Sequence, residues 1–160
     1  MIYIFSAFYA EAKNIIDHYG LKKEKSLETV RFDVFANDSI RLVITGVGEI
    51  NAAAAVSNIG GAYGISPDDE ILNVGCGAGF SSDICLGSIF LGNKLTEQMT
   101  GRTFYPDMLM KTGYRECEII TAVRVLNEGS DSVVYDMEAA AVYQAAAFFV
   151  GPHRMHFIKL

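Results

Sequence analysis

Residues 39–64, SIRLVITGVGEINAAAAVSNIGGAYG, contain one complete unit of architecture. The run SIRLVITGVG reads as a strand running into the glycine turn TGVG at 45–48. From Glu49 the pattern becomes an alanine-rich helix over 49–64, closed by glycines. Strand, glycine turn and helix together are the building unit of an α/β sheet.

Toward the N-terminus, TVRFDVFAND alternates and ends in an Asn-Asp turn, so 29–46 reads as a hairpin. The run MIYIFSAF at 1–8 predicts a strand, followed by a helix in which Ala12, Ile15, Ile16 and Tyr19 recur at helical spacing before Gly20. Toward the C-terminus, DDEILNVGCGAGF gives a buried strand at 70–74 and a second glycine turn, and GSIFLGNKL gives a further strand. Residues 96–117 have no clean period and read as a loop excursion over the sheet, a common place for binding residues. EIITAVRVL at 118–126 predicts a strand, SVVYDM a short strand leading into a helix over 137–149, and RMHFIKL a last strand. The expectation is a single α/β domain over 1–160 with a sheet of mixed direction.

The formal net charge is -6 and the basic residues are scattered, which argues against a nucleic-acid or anionic-membrane surface and leaves a small substrate or a protein partner. Cys76, Cys85 and Cys117 are odd in number and lack a C-x-x-C spacing, so no disulfide framework or zinc site is expected and a reducing cytoplasm fits best. The N-terminus lacks a signal-peptide pattern, and no apolar run reaches the roughly 18 residues of a membrane span. His153 and His156 have ligand-like spacing, but Pro152 and the strand pattern that follows oppose a shared helix face, and no metal is expected.

Ligands in α/β folds sit at the carboxyl ends of strands, where TGVG and GCGAG (75–79) both fall. GCGAGF lacks the third glycine of a dinucleotide fingerprint, so a nicotinamide cofactor is not expected. Glu11 begins a helix and reads either as a helix-start acid or as a general base. Asp136 reads as a helix cap, and Glu138, set against an alanine face, as an acceptor for neighbouring hydroxyls such as a ribose diol.

Four segments in order, IFSAFYAEAKNII, VITGVGEINAAAA, LNVGCGAGF and YDMEAAAVYQAA, resemble the nucleoside phosphorylase and nucleosidase superfamily, closest to the 5'-methylthioadenosine/S-adenosylhomocysteine nucleosidases. The resemblance implies a three-layer sandwich with a central mixed, twisted sheet flanked by helices, lacking the family's C-terminal helix. It implies that Glu11 activates the attacking water, that Met137 and Glu138 hold the ribose, and that Val47 lines the pocket for the 5' substituent. Cys76 and Gly77 would lie along the sugar and base, and Val125 would flank the purine. It implies no cofactor, a nucleoside substrate, and a homodimer or higher homo-oligomer.

The implied reaction is cleavage of the N-glycosidic bond of a 5'-substituted adenosine, such as methylthioadenosine or S-adenosylhomocysteine, with water as nucleophile. Relatives take the acid that protonates the base from a turn after the last strand, and this sequence ends at Leu160 before such a turn. The expectation is therefore a C-terminally truncated member or a catalytically impaired nucleoside binder. Phosphorolysis stays open, with Arg31, Arg41 or Arg102 to hold the phosphate.

Overall fold

The computed structural model describes residues 1–25, 27–109 and 111–160; Met110, within the expected excursion, lies outside them. In chain order the elements are β1 (Ile2–Ser6), α1 (Tyr9–Tyr19), β2 (Lys22–Lys23), β3 (Asp33–Ala36), β4 (Ile40–Ile44), α2 (Glu49–Tyr63) and β5 (Glu70–Gly75). There follow β6 (Ala78–Gly79), β7 (Phe90–Glu97), β8 (Thr103–Phe104), β9 (Arg115–Thr121), β10 (Val133–Asp136), α3 (Ala139–Ala146), a 3-10 turn and β11 (Met155–Lys159).

One 11-stranded sheet runs in the order β2-β3-β4-β1-β5-β11-β7-β9-β10-β6, with β8 on β7. Strands β4, β1, β5 and β11 are parallel, β11 meets β7 antiparallel, and β7, β9 and β10 are again parallel to one another. The sheet is mixed, as expected.

Alternation along the strands divides the apolar side chains between two faces. Tyr3, Phe5, Val43, Ile71, Leu95, Ile119 and Phe157 enter a core with α2 and α3. Ile4, Leu42 and Val74 face the other way, onto Ala12 and Ile16 of α1. The result is three layers, with α2 and α3 on one face and α1 on the other. The two alanine-rich helices approach closely: a Cβ at Gly60 of α2 would fall 2.3 Å from the Phe149 ring, so only glycine admits that ring.

The strand expected over 118–126 ends at Thr121 instead. Thr121 pairs with Glu97, the last residue of β7, and with Asp136, the last residue of β10, so both neighbours stop at the same register and no ladder remains beyond it. The excursion is also less irregular than expected, since 96–117 includes the end of β7, the short strand β8 and the start of β9. The helix expected over 137–149 begins at Ala139, leaving Met137 and Glu138 in the junction before it.

The sheet is not flat. Its far edge, β6, follows β5 after only Cys76 and Gly77, yet pairs antiparallel with β10. This two-residue link curls the sheet back on its own middle and brings the end of β10 against the ends of β5 and β11. Gly77 stands where they cross: a Cβ there would meet Val134 Cγ1 at 2.4 Å and Lys159 Cβ at 3.3 Å.

Candidate active site

The curl creates a cleft of about 280 Å³ that gathers all seven residues expected from the sequence: Glu11, Val47, Cys76, Gly77, Val125, Met137 and Glu138. They come from the segments after β1, β4, β5, β9 and β10, so the site is assembled from most of the chain. Val125 reaches it from a loop and not from a strand, and is 79% exposed.

Glu11 lies in the first turn of α1, where it is the helix-start acid, and its second carboxylate oxygen reaches across the cleft. Its Oε2 accepts the Phe8 N–H and the Ser6 hydroxyl, each at 3.2 Å, which satisfies one of the free amides of the helix start. Its Oε1 accepts the Cys76 N–H at 2.9 Å across the cleft. The approach depends on Gly75, where a Cβ would sit 3.1 Å from Oε2. Burial and the adjoining Glu11 carboxylate both push the Cys76 thiol up, so it stays protonated at neutral pH.

Glu138 is 7% exposed. Its Oε1 accepts the Gly48 N–H at 2.8 Å, at the start of α2. Gly48 holds φ at +95°, a conformation that favours glycine, so TGVG is shaped to aim this amide at the carboxylate. Oε2 has only a long contact, 3.3 Å, from the Met137 N–H. Burial pushes the Glu138 carboxyl above its ordinary value; the Gly48 N–H opposes this, the Asp136 charge adds to it and Lys159 opposes it.

Asp136 does cap the junction, its Oδ2 accepting the Ala139 N–H at 2.7 Å. It also does something its sequence position did not signal. Its Oδ2 pairs with Lys159 Nζ at 2.7 Å and its Oδ1 accepts the Thr121 hydroxyl at 2.7 Å, while Lys159 donates to Asn73 Oδ1 at 2.8 Å. Both charged side chains are essentially fully buried. Lys159 in RMHFIKL alternates inward with Met155 and Phe157, and that register was the available signal.

Sequence reasoning also passed over Arg124, the one cationic side chain among the described residues lining the cleft. The arginines considered for phosphate lie elsewhere: Arg41 pairs with Glu24, Arg102 donates to Gln144, and Arg31 donates to the Glu28 carbonyl. His156 contacts Glu70 at 3.0 Å, and no group of three or more His, Cys, Asp or Glu able to hold a metal ion occurs among the described residues. No helix of the described residues is long and apolar enough to cross a membrane.

The sequence matches no protein-family model, and no curated protein matches it. The fold does have solved counterparts. The 5'-methylthioadenosine/S-adenosylhomocysteine nucleosidase of Neisseria meningitidis, in complex with methylthio-immucillin-A, superposes with a TM-score of 0.78 at 16% identity, covering 98% of this chain and 83% of that one. The S-adenosylhomocysteine nucleosidase of Streptococcus pyogenes, in complex with 5-methylthiotubericidin, gives 0.76 at 18% identity over 98% and 80%. A futalosine hydrolase mutant of Helicobacter pylori gives 0.78 at 12% identity over 99% and 87%. The chain thus has the mixed-sheet nucleosidase fold.

Proposed function

We propose that this chain is a purine nucleosidase that cleaves the N-glycosidic bond of a 5'-substituted adenosine with water as nucleophile. The observation that carries the reading is the meeting of Glu11 and Glu138 in one cleft, Glu11 held through both oxygens by the Phe8 and Cys76 amides and Glu138 through Oε1 by the Gly48 amide. Support also comes from the shared fold, since two of the solved proteins that share it are nucleosidases in complex with methylthio-immucillin-A and 5-methylthiotubericidin.

In this reading Glu11 takes the proton from the water that attacks C1'. Its three hydrogen-bond donors fix the carboxylate while leaving an acceptor position for that water. As the glycosidic bond breaks, its electron pair leaves with the base, which takes a proton from solvent. The positive charge that grows on the sugar ring is stabilised by the two nearby carboxylates before the water's proton passes to Glu11. Glu138, clamped through Oε1, offers Oε2 to the ribose hydroxyls, and Met137 and Val47 supply apolar walls for the sugar and the 5' group. Gly77, which lets β10 and β11 close beside the end of β5, lines the cleft where the base would lie.

Water is favoured because Arg31, Arg41 and Arg102 are all engaged outside the cleft. Phosphate remains the second reading, on the strength of Arg124. Incubation with methylthioadenosine, with and without phosphate, tests both: adenine release without phosphate is expected, and a strict phosphate requirement would overturn the hydrolytic reading. The chain is further taken to be a cytoplasmic homo-oligomer, supported by its three free cysteines and by Met99, Tyr105 and Leu109 exposed on the excursion. Light scattering across a dilution series checks the assembly, and a strictly monomeric mass would refute it.

A further inference from the structure

Arg124 is a cation in a cleft otherwise governed by carboxylates. It follows β9, and its root is rigid: Ala122 is buried and its N–H donates to the Asp136 carbonyl at 2.8 Å. The side chain itself is exposed and lines the same cleft as Glu11, Val125, Met137 and Glu138. The guanidinium groups of Arg41, Arg102, Arg115 and Arg154 are each engaged by a side chain, whereas Arg124 has no such partner among the described residues.

The surroundings would repel an anion without it. Glu11, Asp136 and Glu138 line the cleft, and burial together with the charges of Glu97, Asp136 and Glu138 pushes the Glu49 carboxyl up. A guanidinium presents five N–H donors in a planar fork and no acceptor, a geometry matched to carboxylate and phosphate oxygens. A neutral ribose or methylthio group offers no charged pair of oxygens to match such a fork.

We infer that Arg124 is the receptor for an oxyanion held in the cleft together with the nucleoside, an inference that rests on the nucleoside reading of the same cleft. Two sources share that chemistry. One is a carboxylate at the end of the 5' substituent, as in the homocysteine side chain; the other is inorganic phosphate bound beside the sugar. In either case Arg124 sets which ligand the site prefers, through contacts made beyond the bond that is cleaved.

Calorimetry on the intact chain with three probes, methylthioadenosine, S-adenosylhomocysteine and inorganic phosphate, tests this in the wild type, Arg124→Gln, Arg124→Lys and the surface control Arg102→Gln. A charge-assisted contact at a partly exposed site predicts that Arg124→Gln lowers either the preference for S-adenosylhomocysteine over methylthioadenosine or the affinity for phosphate by about tenfold. Arg124→Lys should recover part of the loss, and added salt should weaken the same interaction in the wild type. A loss confined to S-adenosylhomocysteine assigns the oxyanion to the substrate; one confined to phosphate assigns it to the free ion. An unchanged preference together with unchanged phosphate affinity in Arg124→Gln overturns the inference, whether or not adenine is released. Nucleoside binding without adenine release would instead sink the hydrolase reading and leave the receptor standing. A wild type that binds none of the three probes overturns both.

Discussion

Glu11 and Glu138 occupy one cleft under different constraints, and substitutions that keep their size separate the two roles. Glu11→Gln keeps an acceptor for the Cys76 amide but cannot take a proton from water. It should lower kcat by roughly 10²- to 10⁴-fold while leaving nucleoside binding measurable by calorimetry. Equal loss of binding and turnover would count against its role as base. Glu138 carries a stability consequence as well. Its folded carboxyl is raised above the usual 4.5, so the contribution it makes to folding is fully present below that value and is lost as pH rises through the folded value. At neutral pH the buried, ionised Glu138 therefore weighs against the fold. Glu138→Gln should melt above the wild type at pH 7, with the difference shrinking toward pH 4, and should lose affinity for the ribose. Thermal scans across that range decide it, and a variant that melts below the wild type at pH 7 would contradict the account. Destabilisation tolerated at a site is a familiar cost of function.

Elements held together by local pattern could be read before the structure was known, whereas those held by distant partners could not. The period of Ala12, Ile15, Ile16 and Tyr19 gave α1 its face, and the alternation of 29–46 matched the β3–β4 hairpin. The end of β9 depended on where β7 and β10 stop, which no pattern within EIITAVRVL encodes. The two-residue strand β6 exists only because β10 lies beside it, so no local pattern encodes the curl that forms the cleft, even though the sequence marks seven of the lining residues together with Asp136, and not Arg124. The glycines illustrate the same division. At Gly77 an added Cβ meets Val134 and Lys159, and Gly77→Ala should destabilise by about 1–3 kcal/mol through overpacking. At Gly61, inside α2, a Cβ meets nothing within 4 Å, and Gly61→Ala should stabilise by about 0.5–1 kcal/mol through the lower backbone entropy of its unfolded chain. Urea midpoints of the two variants should move in opposite directions; a shift of the same sign would mean that the crossing at Gly77 relaxes freely.

At the scale of the whole molecule, the cleft exists only while β10 stays closed onto the middle of the sheet, and the buried Lys159–Asp136 pair is the polar part of that joint. From Phe5 on β1 the chain of contacts runs through Asn73 on β5, Lys159 on β11 and Asp136 on β10 to Thr121 on β9 and the Ala140 amide of α3. Six elements thus share one buried network, and removing one charge strands the other. Lys159→Met should cost about 3–5 kcal/mol, because Asp136 would be left buried without its counter-charge. Adding Asp136→Asn to that variant should recover part of the loss, since the orphaned charge is then gone while an oxygen remains to accept the Ala139 or Thr121 donor. The network also bears on whether 1–160 behaves as one domain. If the joint couples the halves, urea unfolding of the wild type followed by far-ultraviolet circular dichroism and by tyrosine fluorescence should give coincident transitions. In Lys159→Met the polar link between the β9–β10 side and the β1–β5–β11 side is lost, and the two probes should separate. Coincident transitions in both proteins, with a midpoint shift corresponding to less than about 1 kcal/mol, would show that apolar packing alone closes the sheet and that the pair is incidental to the cleft.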